Sequence, residues 1–148
     1  LTLRLLQKYI QPKSDLLDFG CGTGILAIAA AKLGAQSVLA IDNDDWATSN
    51  AKENVRKNRA ARVRILHGAI NKIPDRTFNL IVANIDLPTI LRSLHPFVRH
   101  LKPEGILILS GLLVKDLTVL LPQLSHGNLV PLELLSENEW IALALMRS

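Results

Sequence analysis

The sequence predicts an α/β domain built on a doubly wound, mostly parallel seven-stranded sheet, and three observations support this class. Short strand-like runs alternate five times with helix-like runs, which places helices on both faces of a parallel sheet. Hydrophobic residues make up 49% of the chain, as strands buried on both faces require. Only residues 136–139 separate the last two strand-like runs. That interval suffices for an antiparallel hairpin, so one terminal strand is expected to run opposite to the others.

The strands are predicted from short runs rich in leucine, isoleucine and valine. Each run is followed by a glycine or a polar residue, which is where a buried strand reaches the surface and the chain turns. The predicted strands are 16–19, 38–41, 63–67, 78–83, 106–109, 130–135 and 140–146.

Helix-like runs occupy the intervals, and local signals mark several of their ends. Apolar residues recur at helical spacing from Leu3 to Ile10, before Pro12, whose ring disfavours a helical residue ahead of it. An alanine-rich run ends at Gly34, since glycine adopts freely the positive φ of a helix C-terminus. The polar run 42–45 offers side chains that cap the following helix. The predicted helices are 2–10, 24–33, 46–58, 88–101 and 116–124, with a turn at 102–105.

Size and residue usage narrow the class of protein further. A chain of 148 residues forms one domain with a full core. The longest apolar stretch, 105–124, is interrupted by Ser110, Lys115 and Asp116, so no membrane span is predicted. The single Cys21 excludes an internal disulfide and fits a reducing, cytoplasmic location. The four histidines show no metal-ligand spacing, so no metal is expected.

The net charge of +4 has one dense source, the basic run of Arg56, Lys57, Arg59, Arg62 and Arg64. We interpret this run first as a solvated helix end and loop. No aromatic residue is interleaved with it, as a base-stacking surface would need. Contact with an anionic partner such as RNA stays open as an alternative but is not required.

The strongest functional signal is the glycine loop of residues 18–24, Asp-Phe-Gly-Cys-Gly-Thr-Gly, between the first strand and the second helix. Glycines let a ligand approach the backbone, and the amides at a helix N-terminus offer donors and a positive dipole end. Such a loop suits a dinucleotide or an adenosine-bearing carboxylate. The dinucleotide fingerprint needs a third glycine five positions after Gly20, where this chain has Ile25, so that interpretation is weakened.

Two further strand ends complete a nucleoside site in the sequence. Asp42 ends the second strand, where a carboxylate can accept hydrogen bonds from both ribose hydroxyls; helix capping is the alternative role. Gly68 and Ala69 follow the third strand. Because Ala69 has no polar side chain, backbone groups and an apolar wall such as Ile70 are expected to hold the base.

Asn84 ends the fourth strand and is therefore expected to face the reacting groups, with a buried turn asparagine as the alternative. An amide oxygen there can accept hydrogens of an incoming amine and orient it. Asp86 is a candidate proton acceptor, although we favour an exposed structural carboxylate.

Several segments together resemble one family, the S-adenosylmethionine-dependent lysine methyltransferases that act on the stalk-base protein of the ribosomal large subunit. They are Leu17–Gly34 with its acid-x-Gly-x-Gly-x-Gly pattern, Val82-Ala-Asn-Ile85, Leu109-Ser-Gly-Leu112 and Glu139-Trp140. These segments run in order over nearly the whole chain. The resemblance implies a Rossmann-like methyltransferase fold with strand order 3-2-1-4-5-7-6, the seventh strand antiparallel, and methyl transfer from S-adenosyl-L-methionine to amino groups of a ribosomal protein.

The resemblance also assigns residues. Gly20, Asp42 and Asn84 match the family's cofactor contacts, and Thr2 matches the second threonine of its motif Phe-Gly-Thr-Gly-x-His-x-Thr-Thr. The chain starts inside that motif, so residues 1–148 are expected to be the C-terminal methyltransferase domain of a longer protein. With the glycine loop and strand ends, the predicted cofactor contacts are Thr2, Asp18, Gly20, Cys21, Gly22, Thr23, Gly24, Asp42, Asn43, Gly68, Ala69 and Asn84, and Asn84 is also the predicted catalytic residue.

Other interpretations stay open at this point. Methyltransferases that act on planar bases or amides usually carry Asn-Pro-Pro-aromatic after the fourth strand; here the residues after Asn84 include no aromatic, which favours a flexible alkyl amine. Another protein or a small-molecule amine could be the substrate, and a non-catalytic interaction domain is a further alternative. Cys21 is interpreted as a small loop filler and Trp140 as packing rather than a substrate wall. Ser110-Gly111 either borders the substrate entrance or lets the chain turn.

Overall fold

The computed structural model describes residues 1–148 in full. Its strands are β1 (Asp15–Phe19), β2 (Ser37–Asp42), β3 (Val63–His67), β4 (Phe78–Asn84), β5 (Leu101–Leu113), β6 (Leu129–Glu137) and β7 (Trp140–Arg147). Its helices are α1 (Thr2–Tyr9), α2 (Ile25–Lys32), α3 (Asp45–Lys57), α4 (Leu87–His100) and α5 (Leu117–His126), with 3₁₀ turns at Ile70–Lys72 and Val114–Asp116. None of these helices combines the length and the apolar character that crossing a bilayer demands.

All seven strands form one sheet in the order β3-β2-β1-β4-β5-β7-β6. β1 to β5 pair in parallel, whereas β7 is antiparallel to both of its neighbours. The predicted fold class, strand order and single reversed strand are therefore confirmed.

The core consists of two apolar layers, one on each face of the sheet. Alternation along β1 shows the division: Leu16 belongs to the layer under α1, α2 and α3, and Leu17 to the layer under α4 and α5. Each layer contains 20 buried hydrophobic residues. The high hydrophobic content of the sequence thus covers both faces of a central sheet, as the fold class requires.

β5 differs most from its prediction. The predicted turn at 102–105 lies inside a strand that begins at Leu101 and continues to Leu113. Leu101 pairs with Phe78 of β4, and the extra residues are absorbed by a register shift between Phe78 and Leu80 and by the positive φ of Glu104, 62°. The turn prediction is wrong because burial of Leu101 beside Phe78 keeps the chain in the sheet on both sides of the irregularity.

The strand order creates a crevice where β1 and β4 lie side by side. The chain leaves β1 towards β2 on one side and leaves β4 towards β5 on the other, so the loops at their carboxyl ends diverge. The rings of Phe19 and Phe97, at the end of β1 and on α4, meet edge to face with centroids 5.1 Å apart. This contact fixes α4 against the floor of the crevice.

We expect Phe97→Ala to lower the free energy of unfolding by about 3–5 kcal/mol, since the ring is fully buried and its loss leaves a cavity beside Phe19. Urea denaturation of both proteins measures the change. Leu121→Ala on α5 serves as the control because that side chain is 44% exposed, and its effect should stay within about 0.5 kcal/mol. Equal costs for the two variants would contradict the assignment of Phe97 to the core.

Candidate functional site

The crevice contains the larger of two adjoining cavities, with a volume of about 580 Å³, within the range of ligand sites. Its walls come from the ends of β1, β2 and β4, from the loop after β3 and from α4. The lining residues are Phe19, Gly20, Ile41, Asp42, Asn43, Gly68, Ala69, Ile70, Ile85, Asp86, Thr89, Arg92 and Ser93. Five predicted cofactor contacts are among them: Gly20, Asp42, Asn43, Gly68 and Ala69.

The glycine loop is anchored to the end of β2. The amides of Gly20 and Cys21 both donate to the carbonyl oxygen of Ile41, at 2.8 and 3.0 Å. Gly20 has φ +74°, and a Cβ there would lie 2.5 Å from Cγ2 of Ile85. Glycine is therefore required at position 20 by both backbone conformation and close approach to the loop after β4.

Gly22 and Gly24 serve different purposes in the same loop. A Cβ on Gly22 would meet nothing within 4 Å, so this part of the loop borders open space. A Cβ on Gly24 would lie 3.3 Å from Cβ of Ala51, so the third glycine lets α2 approach α3. Ile25 is 65% exposed, so a side chain at this position is accommodated outside the core. The packing of Ile25 therefore adds nothing against a dinucleotide.

Asp42 joins three loops through its own hydrogen bonds. Its Oδ2 accepts from the amide of Gly22 at 2.9 Å and its Oδ1 from the amide of Asp44 at 3.0 Å. Its carbonyl oxygen accepts from the amide of Gly68 at 2.9 Å. Capping of α3 falls to Asp44, whose carboxylate accepts from the amide of Trp46. The capping alternative for Asp42 is wrong, and its carboxylate borders the larger cavity.

Another part of the cavity wall comes from α4, whose polar residues the sequence reasoning did not identify. Ala69 and Ile70 give the loop after β3 an apolar surface, as predicted. Thr89, Arg92 and Ser93 of α4 add polar groups to the lining, next to Asp86 at its N-cap, which the sequence had already offered as a candidate. Their helical spacing directly after a strand that ends in the crevice is the signal that could have identified them.

Asn84 lies on the other side of the turn that follows β4. Its side chain is exposed, so the buried-asparagine alternative is wrong. It borders a second cavity of about 290 Å³, lined by Leu1, Thr2, Asn84, Ser110, Gly111, Glu137, Asn138 and Trp140. Residue 84 thus borders the smaller cavity and residue 85 the larger, so this turn separates the two. Thr2 lies at the smaller cavity as well.

Gly111 supports this turn from β5. Its φ is +79°, and a Cβ there would lie 2.7 Å from the carbonyl oxygen of Ile85 and 3.1 Å from Oδ1 of Asn84. The Ile85 amide donates to the carbonyl oxygen of Ser110 at 3.2 Å. Ser110 and Gly111 therefore border the smaller cavity and also fix the position of Asn84.

The position of Trp140 differs from the prediction made for it. It is 54% exposed and borders the smaller cavity, so the packing interpretation is wrong. The prediction gave it a packing role rather than that of a substrate wall. It is the first residue of β7, next to the hairpin turn, and pairs with Leu113 of β5 and Glu137 of β6.

Asp18 is buried beneath the glycine loop and reaches neither cavity. On β1 it lies between Ala40 and Val82, and neither carboxylate oxygen has a hydrogen-bond partner. Burial raises its pKa from 3.8 to about 7; the nearby backbone of Ala27 opposes this shift, and the charge of Asp42 adds to it. The predicted role of Asp18 as a direct cofactor contact stays a prediction.

The other polar groups behave as follows. Burial, with the charges of Asp18 and Asp42, raises the pKa of Cys21 to about 12, as expected for an unreactive loop filler. The Asp86 carboxylate caps α4 by accepting from the amide of Thr89 at 2.8 Å, and this bond lowers its pKa. It is thus an exposed structural carboxylate, as favoured. Thr23 is exposed, and its carbonyl oxygen accepts from the side chain of Asn54.

The basic run lies away from both cavities. All five side chains are exposed, at the end of α3, in the loop that follows it and on the edge strand β3, which confirms the interpretation as a solvated surface. Lys57 pairs with Glu53 one helical turn away, at 3.1 Å. Contact with a nucleic acid through this surface stays a prediction.

Comparison with known proteins gives one consistent family. Residues 1–148 match the family model described as ribosomal protein L11 methyltransferase (PrmA). The chain is 41% identical over 145 residues to the ribosomal protein L11 methyltransferase of Thermosipho melanesiensis and 35% identical over 149 residues to that of Listeria innocua. These alignments cover 98% and 99% of this chain but 54% and 48% of the relatives. The chain thus spans about half the length of these relatives.

The fold matches solved structures equally well. The crystal structure of the ribosomal protein L11 methylase of Lactobacillus delbrueckii subsp. bulgaricus superimposes with a TM-score of 0.93 and 32% identity, covering 99% of this chain and 77% of that one. A precorrin-6y C5,15-methyltransferase from Geobacter metallireducens, at TM-score 0.83, 16% identity and coverage of 99% and 87%, shares the fold alone.

The burial of Asp18 predicts a pH-dependent stability. The pKa of Asp18 is raised in the native state, so its ionisation disfavours the folded protein. The free energy of unfolding therefore keeps its full value below about pH 4 and decreases as the pH rises towards 7. Between pH 5 and pH 8 we expect this loss to be about 3 kcal/mol. Urea denaturation at both pH values measures it. In Asp18→Asn, which cannot ionise at this position, the added loss should vanish; the same pH dependence in both proteins would contradict the shifted pKa.

Proposed function

Because this chain belongs to the ribosomal protein L11 methyltransferase (PrmA) family, we propose that it transfers methyl groups from S-adenosyl-L-methionine to amino groups of ribosomal protein L11. We propose further that lysine side chains of this stalk-base protein are the acceptors and that the reaction takes place in the cytoplasm. In this proposal residues 1–148 act as the methyltransferase domain of a longer protein. The single observation that carries it is the pair of cavities on either side of the turn at residues 84 and 85, one suited to a nucleoside and the other to an amine.

The residues of the larger cavity fit the proposed cofactor. The Asp42 carboxylate keeps free lone pairs beside its two backbone bonds, so it can accept hydrogen bonds from ribose hydroxyls. Ile41 and Ile70 offer apolar contact for a base. The open backbone at Gly22 would accommodate the methionine end. When bound, the cofactor supplies a methyl group on a positively charged sulfur, which makes the methyl carbon electrophilic.

The amine must reach the site with its lone pair free. Deprotonating an ordinary lysine at pH 7 costs about 4.6 kcal/mol, because its pKa lies near 10.4. Asp86 is a poor base for this step, since its hydrogen bond to Thr89 lowers its pKa. Partial desolvation in the smaller cavity lowers the pKa of the amine instead. The Asn84 amide oxygen then accepts a remaining N–H and directs the lone pair.

We expect Asp42→Ala to weaken binding of S-adenosylhomocysteine by about tenfold to a hundredfold, because hydrogen bonds to a carboxylate are lost. Isothermal titration calorimetry measures the dissociation constant, and a thermal melt verifies that the variant is folded. Asp45→Ala is the matched control: it removes the same charge three residues away, and its affinity should stay within about threefold. Titration with NAD in parallel should give no binding. Tight NAD binding, or no binding of S-adenosylhomocysteine by the folded chain, would refute the cofactor assignment.

Asn84→Ala should reduce methyl transfer by about a hundredfold or more while changing the affinity for S-adenosylhomocysteine by less than about threefold. The reason is that Asn84 borders the smaller cavity and not the one assigned to the nucleoside. Transfer of radiolabelled methyl groups to purified ribosomal protein L11 measures the first quantity and calorimetry the second. Asn71→Ala, an exposed asparagine on the 3₁₀ turn, is the control. Equal losses of transfer and affinity would reduce Asn84 to a cofactor contact.

A further inference from the structure

The smaller cavity carries a carboxylate and an indole side by side. Glu137 and Trp140 are paired directly across the β6–β7 hairpin, so their side chains lie on the same face of the sheet with Cβ atoms about 5 Å apart. Both border the cavity that holds Asn84. The positive φ of Asn138, 55°, allows the two-residue turn that brings them together.

The exposure of Trp140 contrasts with the burial of its strand. Large aromatic side chains contribute most when buried, yet this one is 54% exposed at the mouth of a cavity while the rest of β7 is largely buried. Trp46, the other tryptophan, is 77% exposed on α3 and borders neither cavity. An exposed indole paired with a carboxylate at a cavity is the arrangement that binds organic cations.

We propose that Glu137 and Trp140 form the acceptor subsite, which binds the side-chain ammonium of lysine and retains it as it becomes methylated. This inference rests on the proposed function for its acceptor class, and it adds the residues that recognise the acceptor. Glu137 attracts the ammonium as it docks, although a nearby carboxylate opposes the fall in amine pKa that desolvation produces, and it attracts the positive charge of each methylated form. Trp140 contributes more as methyl groups replace N–H groups, since a quaternary ammonium is weakly hydrated and suits an aromatic face.

The two residues therefore make different predictions. A quaternary ammonium has no N–H to donate, so it interacts with Glu137 through charge alone and with Trp140 through its ring face. Loss of Glu137 should weaken the binding of unmethylated and of trimethylated lysine to a similar degree. Loss of Trp140 should weaken the binding of trimethylated lysine more than that of unmethylated lysine. Retention of the partly methylated amine would then favour several transfers in one encounter.

The binding test uses the whole chain carrying Trp46→Phe, which leaves Trp140 as the only tryptophan. With S-adenosylhomocysteine present, the protein is titrated with capped lysine, capped trimethyllysine and the neutral tert-butyl isostere of trimethyllysine, and tryptophan fluorescence is followed. We expect a saturable change with trimethyllysine, at an affinity about tenfold above that of the neutral isostere. Equal response to the cation and the isostere, or no response to either ammonium, would overturn the proposal.

Variants assign the two roles by calorimetry in the wild-type background. Trp140→Ala should weaken the binding of trimethyllysine about tenfold and the binding of lysine less. Glu137→Gln should weaken the binding of both ligands by about threefold to tenfold. Trp46→Ala and Glu139→Gln are matched controls, since neither residue borders the cavity, and both should bind as wild type does. Unchanged binding by Trp140→Ala would overturn the assignment even if the cation binds.

The affinity for S-adenosylhomocysteine separates this proposal from the one it rests on. Binding of S-adenosylhomocysteine without cation selectivity would leave the proposed function intact and refute the acceptor subsite. Cation-selective binding without binding of S-adenosylhomocysteine would refute the proposed function and leave the acceptor subsite intact.

Discussion

The arrangement of the larger cavity depends on one residue, Asp42. Its carboxylate accepts from the amides of Gly22 and Asp44, and its carbonyl oxygen accepts from Gly68, so the loops after β1, β2 and β3 are joined at one residue. Loops at the ends of parallel strands would otherwise be free to move apart, because strand pairing ends before them. Since each carboxylate oxygen has more than one lone pair, the same group can hold the loops and still bind a ligand.

The two cavities are separated by the turn at Ile85, which is enclosed by two glycines. Its side chain approaches Gly20 so closely that a Cβ would lie at 2.5 Å, and its carbonyl oxygen approaches Gly111 with a corresponding distance of 2.7 Å. Both glycines have positive φ, so the backbone conformation and the close approach impose the same residue type. The position of Asn84, one residue earlier, is thereby determined by packing from both neighbouring strands.

Sequence reasoning predicted those features that repeat along the chain or punctuate it. Alternation of apolar runs gave the sheet, and polar residues after them gave Asp42 and Asn84. It could not predict that the run 102–105 stays in β5, because pairing of Leu101 with Phe78 is a contact between distant residues that overrides a local turn pattern. The polar face of α4 and the exposure of Trp140 were missed for the same reason: each depends on where an element lies relative to the crevice.

Acidic side chains predominate at the two cavities, although the chain as a whole is basic. The net charge is +4, yet Asp42, Asp86 and Glu137 border the two cavities, and Arg92 is the one cationic side chain lining the larger. The basic run lies instead on α3 and β3, at the far edge of the sheet. A cation approaching the cavities therefore meets carboxylates at short range, where they act most strongly and are screened least. Both the sulfonium of the proposed cofactor and the proposed lysine acceptor carry that charge, so one electrostatic feature favours the two ligands that must meet at Asn84.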